Sequence, residues 1–295
     1  MSEVIEGARV VAREAGTNGK LLAGKASFDH IYEQRDPRAY FSTLGTLEYQ
    51  IPHHAQRVFR RLLEVGPRPS AEATVTDLCC SYGINTALLR HDLVLDDLYV
   101  RYAQAEADST GDLAARDRRF FHGRRRAKAP RTVGIDRSAR AVAYARTAGM
   151  LDEGFGEDLE SAEPSAALRA AVADTSMVTV TGGVGYITHR TFQRLLDCVR
   201  RPPWVAAFVL RGVAYQHIAE VLGKHGLVTE KLPGRTFRQR RFASPEEART
   251  TVSALTSAGI PVRDKESTGY FHTDLYLSRP AGDVAAQPLD RLLAD

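Results

Sequence analysis

The stretch Val75-Thr76-Asp77-Leu78-Cys79-Cys80-Ser81-Tyr82-Gly83 decides how the chain reads, together with Val133-Gly134-Ile135-Asp136-Arg137-Ser138 further on. Each begins as a short apolar run of the kind that fills a buried strand, and each ends in a turn leading to a helix. In the first, a turn of small residues lets a ligand come close to the backbone, and the helix starting near Asn85-Thr86 offers its free N–H groups. In the second, Asp136 stands where a carboxylate can accept hydrogen bonds from both hydroxyls of a ribose. Ser138 then caps a helix whose apolar positions Ala141, Val142, Ala145 and Ala148 recur at helical spacing. Together these features describe a nucleoside site at the carboxyl ends of parallel strands.

Outward from these stretches, strands alternate with helices. Residues 73–78, 132–136, 154–159, 177–181 and 205–210 read as strands, and 166–173, 191–199 and 216–225 as helices, the last closed by Gly226. The alternation predicts a parallel α/β sheet. Beyond it, 227–232 reads as a strand, Ser244-Pro245-Glu246-Glu247 opens a helix with capping-box spacing, and 270–277 is a last strand. In that strand Tyr270, His272, Asp274 and Tyr276 share one face, and Phe271, Thr273, Leu275 and Leu277 the other. The expectation is a seven-stranded, mostly parallel sheet with helices on both faces. Residues 1–70 lack any buried-strand pattern and read as an N-terminal helical cap or substrate lid. The sheet domain runs over 71–280 with a charged helical insertion at about 94–130, and 281–295 form a C-terminal tail.

Composition bounds the rest. With 295 residues, 43% hydrophobic and 26% charged, the chain is neither collagenous, mucin-like nor disordered. Its length allows it to bury roughly 75% of the surface it would expose unfolded, so neither disulfide nor metal is needed for stability. Cys79 and Cys80 are adjacent and Cys198 is distant, which provides no disulfide ladder and no metal spacing. The N-terminal Met-Ser-Glu-Val-Ile-Glu-Gly has no signal pattern, and no apolar run approaches the roughly 20 residues that span a bilayer. A cytoplasmic protein without a membrane partner is expected. The net charge of +4 concentrates in Arg116, Arg118, Arg119, Arg124, Arg125, Arg126, Lys128 and Arg131, with Asp117 as the lone acid among them. Such a run reads as a solvated surface, with RNA or an acidic partner as the alternative.

On these residues the chain resembles the class I S-adenosylmethionine-dependent methyltransferases over residues 74–278. The family's first strand ends in a pattern like Asp-Leu-Gly-Cys-Gly-x-Gly; this chain keeps Asp77, Leu78, Cys80 and Gly83 and departs at Cys79 and Ser81, where glycines are usual. The resemblance implies a Rossmann-like fold and S-adenosylmethionine as cofactor. It implies that the turn Cys79, Cys80, Ser81, Gly83 flanks the methionine portion and that Asp77 belongs to the same cofactor site; on its own chemistry Asp77 reads as orienting the turn by hydrogen bonds to its backbone rather than as a catalyst. Asp136, with Arg137 beside it, is implied at the ribose. Asp158, in Gly156-Glu157-Asp158-Leu159, is implied at the adenine amino group, and Thr181-Gly182-Gly183 near the sulfonium. Simpler readings stand beside these: an exposed loop acid for Asp158, and a tight turn for the glycines at 182, 183 and 185. The family's Asn/Asp-Pro-Pro-Tyr signature is replaced by Thr181-Gly182-Gly183-Val184-Gly185-Tyr186, so nucleobase or backbone-amide methylation loses support.

Candidate catalytic residues are Tyr186, alternatively a packing residue, and His53 and His54 in Tyr49-Gln50-Ile51-Pro52-His53-His54, as a general base or a partner for the cofactor carboxylate. His189, His217 and His272 read as surface or packing residues. Phe28, Tyr32, Tyr40 and Tyr49 either line an apolar substrate pocket or form a small helical core. The resemblance implies in-line methyl transfer to an O, N or C atom of a small, natural-product-like acceptor. One alternative keeps the fold and cofactor but cyclises the cofactor's own methionine tail, releasing methylthioadenosine as azetidine-2-carboxylate synthases do. Another is a methyltransferase-shaped binder of RNA or an acidic partner. A small-molecule substrate is expected, nucleic acid is disfavoured, and a homodimer is left open.

Overall fold

The computed structural model describes residues 24–107 and 112–293. Three N-terminal helices, α1 (Asp29–Tyr32), α2 (Arg38–Thr46) and α3 (Ile51–Val65), precede β1 (Thr74–Leu78) and α4 (Ile84–Arg90). The charged insertion forms α5 (Leu95–Ala107) and α6 (Leu113–His122). Then come β2 (Arg131–Asp136), α7 (Ala139–Thr147), β3 (Glu153–Gly156), α8 (Ala166–Val172), β4 (Met177–Thr181), α9 (His189–Leu196), β5 (Trp204–Leu210) and α10 (Gln216–Lys224). The chain ends with β6 (Leu227–Lys231), β7 (Phe237–Arg241), α11 (Pro245–Ser257), β8 (Tyr270–Pro280), α12 (Ala281–Ala286) and α13 (Leu289–Leu292).

The strands lie in the order β3-β2-β1-β4-β5-β8-β6, parallel from β3 through β5 and antiparallel at β8 and β6. This is a Rossmann-like α/β sheet, as expected, but it has eight strands rather than seven. The additional one is β7. At 11 residues β8 is long enough to carry β6 along residues 276–280 and β7 along 270–273 of the same edge. The sequence Phe-Arg-Gln-Arg-Arg hides that strand behind its charge, and an irregularity between Arg238 and Arg241 breaks its alternation. The third strand also stops at Gly156, short of the expected 159.

Every residue of β5 is buried, and from Trp204 to Val209 its side chains divide by parity. Val205, Ala207 and Val209 enter a core with Val178, Phe192 and Leu222 on one face; Ala206 and Phe208 join Phe59, Val75 and Leu277 on the other. Phe59 of α3 meets Phe208 edge-on at 5.6 Å, so α3 belongs to the layer beneath the sheet. Leu289 and Leu292 of the tail seal the same face. A third cluster joins Tyr40, Phe41 and Leu44 of α2 to Leu98 and Tyr102 of α5, Phe121 of α6 and Ala145 of α7. At its centre Asp117, fully buried, accepts from Arg101 Nε at 2.7 Å and from the Tyr102 and Tyr144 hydroxyls. The lone acid of the basic run is thus the anchor of the insertion. Among the described residues no helix is long and apolar enough to cross a membrane, and no group of three or more His, Cys, Asp and Glu is placed to hold a metal ion.

Candidate active site

Strand order reverses between β1 and β4, and in such sheets ligands lie outside the carboxyl ends of the strands at the reversal. Two turns meet there. The turn after β1 is left-handed at Cys79 (φ 56°), Ser81 (φ 51°) and Gly83 (φ 73°). It adopts a backbone that glycine takes freely while carrying side chains at two of the three positions, a conformation costing about 1–2 kcal/mol per non-glycine residue. Hydrogen bonds hold it in place. Cys80 N donates to Ile135 O at 3.2 Å, and Ser81 N donates to Asp136 Oδ2 at 2.9 Å. The other carboxylate oxygen, Asp136 Oδ1, accepts from Ser138 N at 2.8 Å. The acid at the end of β2 therefore clamps the β1 turn to the start of α7, and each of its oxygens retains a further lone pair for a ligand.

Asp77 lies wholly buried beneath the turn, with Oδ1 accepting from the Thr179 hydroxyl at 2.6 Å. Burial, reinforced by the charge of Asp136, pushes its pKa up to about 7 against the opposing pull of Thr179 and Asn85. Asp136 is also raised, by burial, with its two backbone donors and Arg137 opposing. Arg137 itself points outward, 3.2 Å from Asp29 of α1. Asp158 lies exposed in the loop after β3, where its carboxylate accepts from Glu160 N and Ser161 Oγ, both at 2.9 Å. Glu160, which the sequence did not single out, ties that loop to the next: it accepts from Thr188 N at 2.7 Å and Thr191 Oγ1 at 2.6 Å.

The turn after β4 abuts the first. A Cβ on Gly183 would lie 2.7 Å from Cys79 Sγ, so only glycine permits this approach. Gly182 is left-handed (φ 72°), and a Cβ there would lie 2.7 Å from Nε2 of Gln239, a β7 residue that keeps 3% of its surface exposed. Tyr186 stays 54% exposed, with Lys25 Nζ 5.1 Å from its ring centroid. His53 and His54 sit in the first turn of α3, and His54 packs at 5.8 Å against Phe237 of β7. Burial, then His53 and nearby arginines, lower the His54 pKa to about 4. Neither imidazole makes a side-chain hydrogen bond among the described residues.

The N-terminal segment docks on the same mouth. Tyr82 donates its hydroxyl to Ile31 O and Gln34 O, each at 3.0 Å, and Ser138 donates to Tyr32 O at 2.6 Å. Burial holds the Tyr32, Tyr40 and Tyr49 phenols protonated; neighbouring tyrosines push the same way at Tyr32 and Tyr40, whereas at Tyr49 the hydrogen bond with Tyr40 and the charge of Arg240 oppose it. Arg240 and Glu247 form a buried bidentate pair at 2.9 and 2.7 Å, and Glu247 also accepts from Ala26 N at 2.8 Å.

Five buried side-chain oxygens around the two turns end without an aligned hydrogen-bond partner: Asp77 Oδ2, which lies near Asn85 but is not aligned with it, Ser81 Oγ, Asn85 Oδ1, Thr181 Oγ1 and Gln239 Oε1. The structure thus gathers Asp77, Cys79, Cys80, Ser81, Gly83, Asp136, Thr181, Gly182 and Gly183 at one place. Arg137 and Asp158 stand at its outer margin, and His53 and His54 beside β7.

No protein-family model matches the chain, and no curated protein matches it. Solved structures do. Magnesium protoporphyrin IX methyltransferase from Synechocystis PCC 6803 with bound SAM is similar at 15% identity, over 77% of this chain and 80% of that one, with a TM-score of 0.38. The O-methyltransferase of a trans-AT PKS multienzyme from Brevibacillus brevis, with S-adenosyl-L-homocysteine, is similar at 13% identity over 77% and 72%, TM-score 0.38. The YcgJ protein of Bacillus subtilis is similar at 7% identity over 77% and 99%, TM-score 0.45.

Proposed function

We propose that the protein is an S-adenosylmethionine-dependent methyltransferase acting on a small molecule. The observation that carries this reading is the meeting of the β1 and β4 turns at the strand reversal, with Asp136 locking the first turn in a glycine-like backbone although Cys79 and Ser81 occupy it. A chain that keeps a costly conformation at a ligand crevice has a use for the shape. The unspent oxygens of Asp77, Ser81, Asn85 and Thr181 suit a cationic ligand rich in hydrogen-bond donors, and S-adenosylmethionine carries both a sulfonium and an ammonium.

When bound, that cofactor supplies a methyl group already activated for in-line displacement, so the protein has mainly to align and to exclude water. Asp136 holds the ribose hydroxyls with its remaining lone pairs. Asp158 stands beyond β3 on the adenine side. The turn from Cys79 to Gly83 flanks the methionine, and Thr181, Gly182 and Gly183 border the reacting centre. Tyr32 and Tyr49 close the mouth as neutral phenols, and Glu247 neutralises Arg240 beside them. Tyr186, half-exposed under Lys25, borders the entrance. The basic insertion supports a small-molecule acceptor over RNA. Arg124 stacks on Phe120 at 4.0 Å, Arg125 pairs with Asp152 at 3.6 Å and Arg126 donates to Leu89 O at 3.2 Å, so all three serve the fold.

Product analysis tests the reading. Incubation with S-adenosylmethionine and a panel of small acceptors is expected to yield adenosylhomocysteine and a product heavier by one methylene unit. Absence of any cofactor-derived product across the panel, with and without acceptor, would overturn it.

A further inference from the structure

Gln239 belongs to β7, the strand beyond the expected seven, and the proposed function assigns it no role. Its backbone is fixed, since Gln50 N donates to Gln239 O at 2.8 Å. The residue keeps 3% of its surface exposed; its Nε2 lies against Gly182, and its Oε1 is buried without a hydrogen-bond donor. A buried amide oxygen left without a donor is costly, and an N–H or O–H on a ligand would complete it. Thr181 Oγ1, one residue from Gly182, is buried and unspent as well.

The position says which ligand group is met. Asp136 and Asp158 mark the nucleoside side, on β2 and the loop after β3, and the β1 turn lies between them and β4. Gln239 meets the turn after β4 from β7, on the opposite side of β1 from β2 and Asp136. The sequence has no Asn or Asp at the end of β4, yet the fold carries a carboxamide to that turn from another strand. Among the described residues no titratable side chain is hydrogen-bonded to Gln239 or Thr181. A hydroxyl nucleophile needs a base during attack; an unprotonated amine does not, since it sheds its proton afterwards.

We propose that Gln239 is a positioning residue for an amine nucleophile, its Oε1 accepting an N–H so that the nitrogen lone pair faces the carbon beside the sulfonium. The inference rests on the methyltransferase-type cofactor site above. In the step it serves, the nitrogen lone pair forms the new C–N bond, the C–S bond breaks with its electron pair passing to sulfur, and the nitrogen releases its extra proton to water. The amine belongs either to a separate small molecule or to the cofactor's own methionine end, and the products tell the two apart.

The test uses the full chain and its Gln239→Leu and Gln239→Glu variants. S-adenosylmethionine binding is followed by calorimetry, folding by thermal melting, and products by mass spectrometry with the cofactor alone and with matched primary amines and alcohols. Wild type is expected to react only with nitrogen: N-methylated amine and adenosylhomocysteine for a separate acceptor, or methylthioadenosine and a cyclic amino acid for the cofactor's own amine. Gln239→Leu should melt no lower and lose about a hundredfold in turnover, the scale of a misplaced reactant; where the acceptor is a separate amine it should bind the cofactor within about threefold of wild type. Gln239→Glu, which keeps an acceptor oxygen, should recover part of that loss. Reaction with alcohols but not amines, full turnover by Gln239→Leu, or a Gln239→Glu variant worse than Gln239→Leu would overturn the proposal while leaving the cofactor site intact. Failure of wild type to bind S-adenosylmethionine would remove both readings.

Discussion

At the scale of single residues, the turn after β1 is governed by backbone angle. Ser81 sits at φ 51° with its hydroxyl buried and unpaired, so it combines conformational strain with an unspent polar group. Ser81→Gly removes both while raising the entropy of the unfolded chain, and the net expectation is a stabilisation of about 0.5–1 kcal/mol, read from denaturant unfolding. A loss of stability would show that the hydroxyl does structural work. Asp77 provides a pH signature. Its carboxyl stands at about 7 in the folded chain against a reference of 3.8. Between those values the native chain holds a proton that the unfolded chain has released, so this group's contribution to stability falls as pH rises through the window and levels off above it. Asp77→Asn is expected to flatten the wild-type profile there; an unchanged slope would place the titration elsewhere. The acids were legible because strand ends mark them. Gln239 was not, since a lone amide among arginines has no signature until its strand is placed against Gly182.

At the scale of elements, the parallel units could be read because each strand is a short apolar run and each helix carries a cap, as with Ser138 and Ser244. β7 was hidden because Arg238 and Arg241 face solvent and Arg240 is buried by pairing with Glu247, a partner that a linear reading does not supply. The insertion was recognised as charged and helical, but the role of its one acid was not. Asp117, on α6, gathers Arg101 and Tyr102 of α5 and Tyr144 of α7. Asp117→Ala leaves a cation and two buried hydroxyls without their acceptor, and is expected to cost about 3–5 kcal/mol in unfolding free energy. A loss below 1 kcal/mol would mean that α5 and α6 are held by their apolar contacts alone.

At the scale of the molecule, an α/β sheet with its ligand crevice at the reversal of strand order follows from the alternation of strand and helix, and the sequence carries that alternation openly. What it does not carry is how distant segments converge: α1 and α2 docking through Tyr82 and Ser138, and β7 pairing with β8 so that Gln239 meets Gly182. These depend on long-range contacts between residues of ordinary local character. The central claim is that the joined β1 and β2 ends bind S-adenosylmethionine. Calorimetric titration of wild type and Asp136→Ala tests it most directly, with thermal melting confirming that the variant is folded. Saturable one-site binding by wild type, weakened by about 1–3 kcal/mol in Asp136→Ala, is the predicted result. No binding by wild type, or equal affinity in a folded variant, would contradict it.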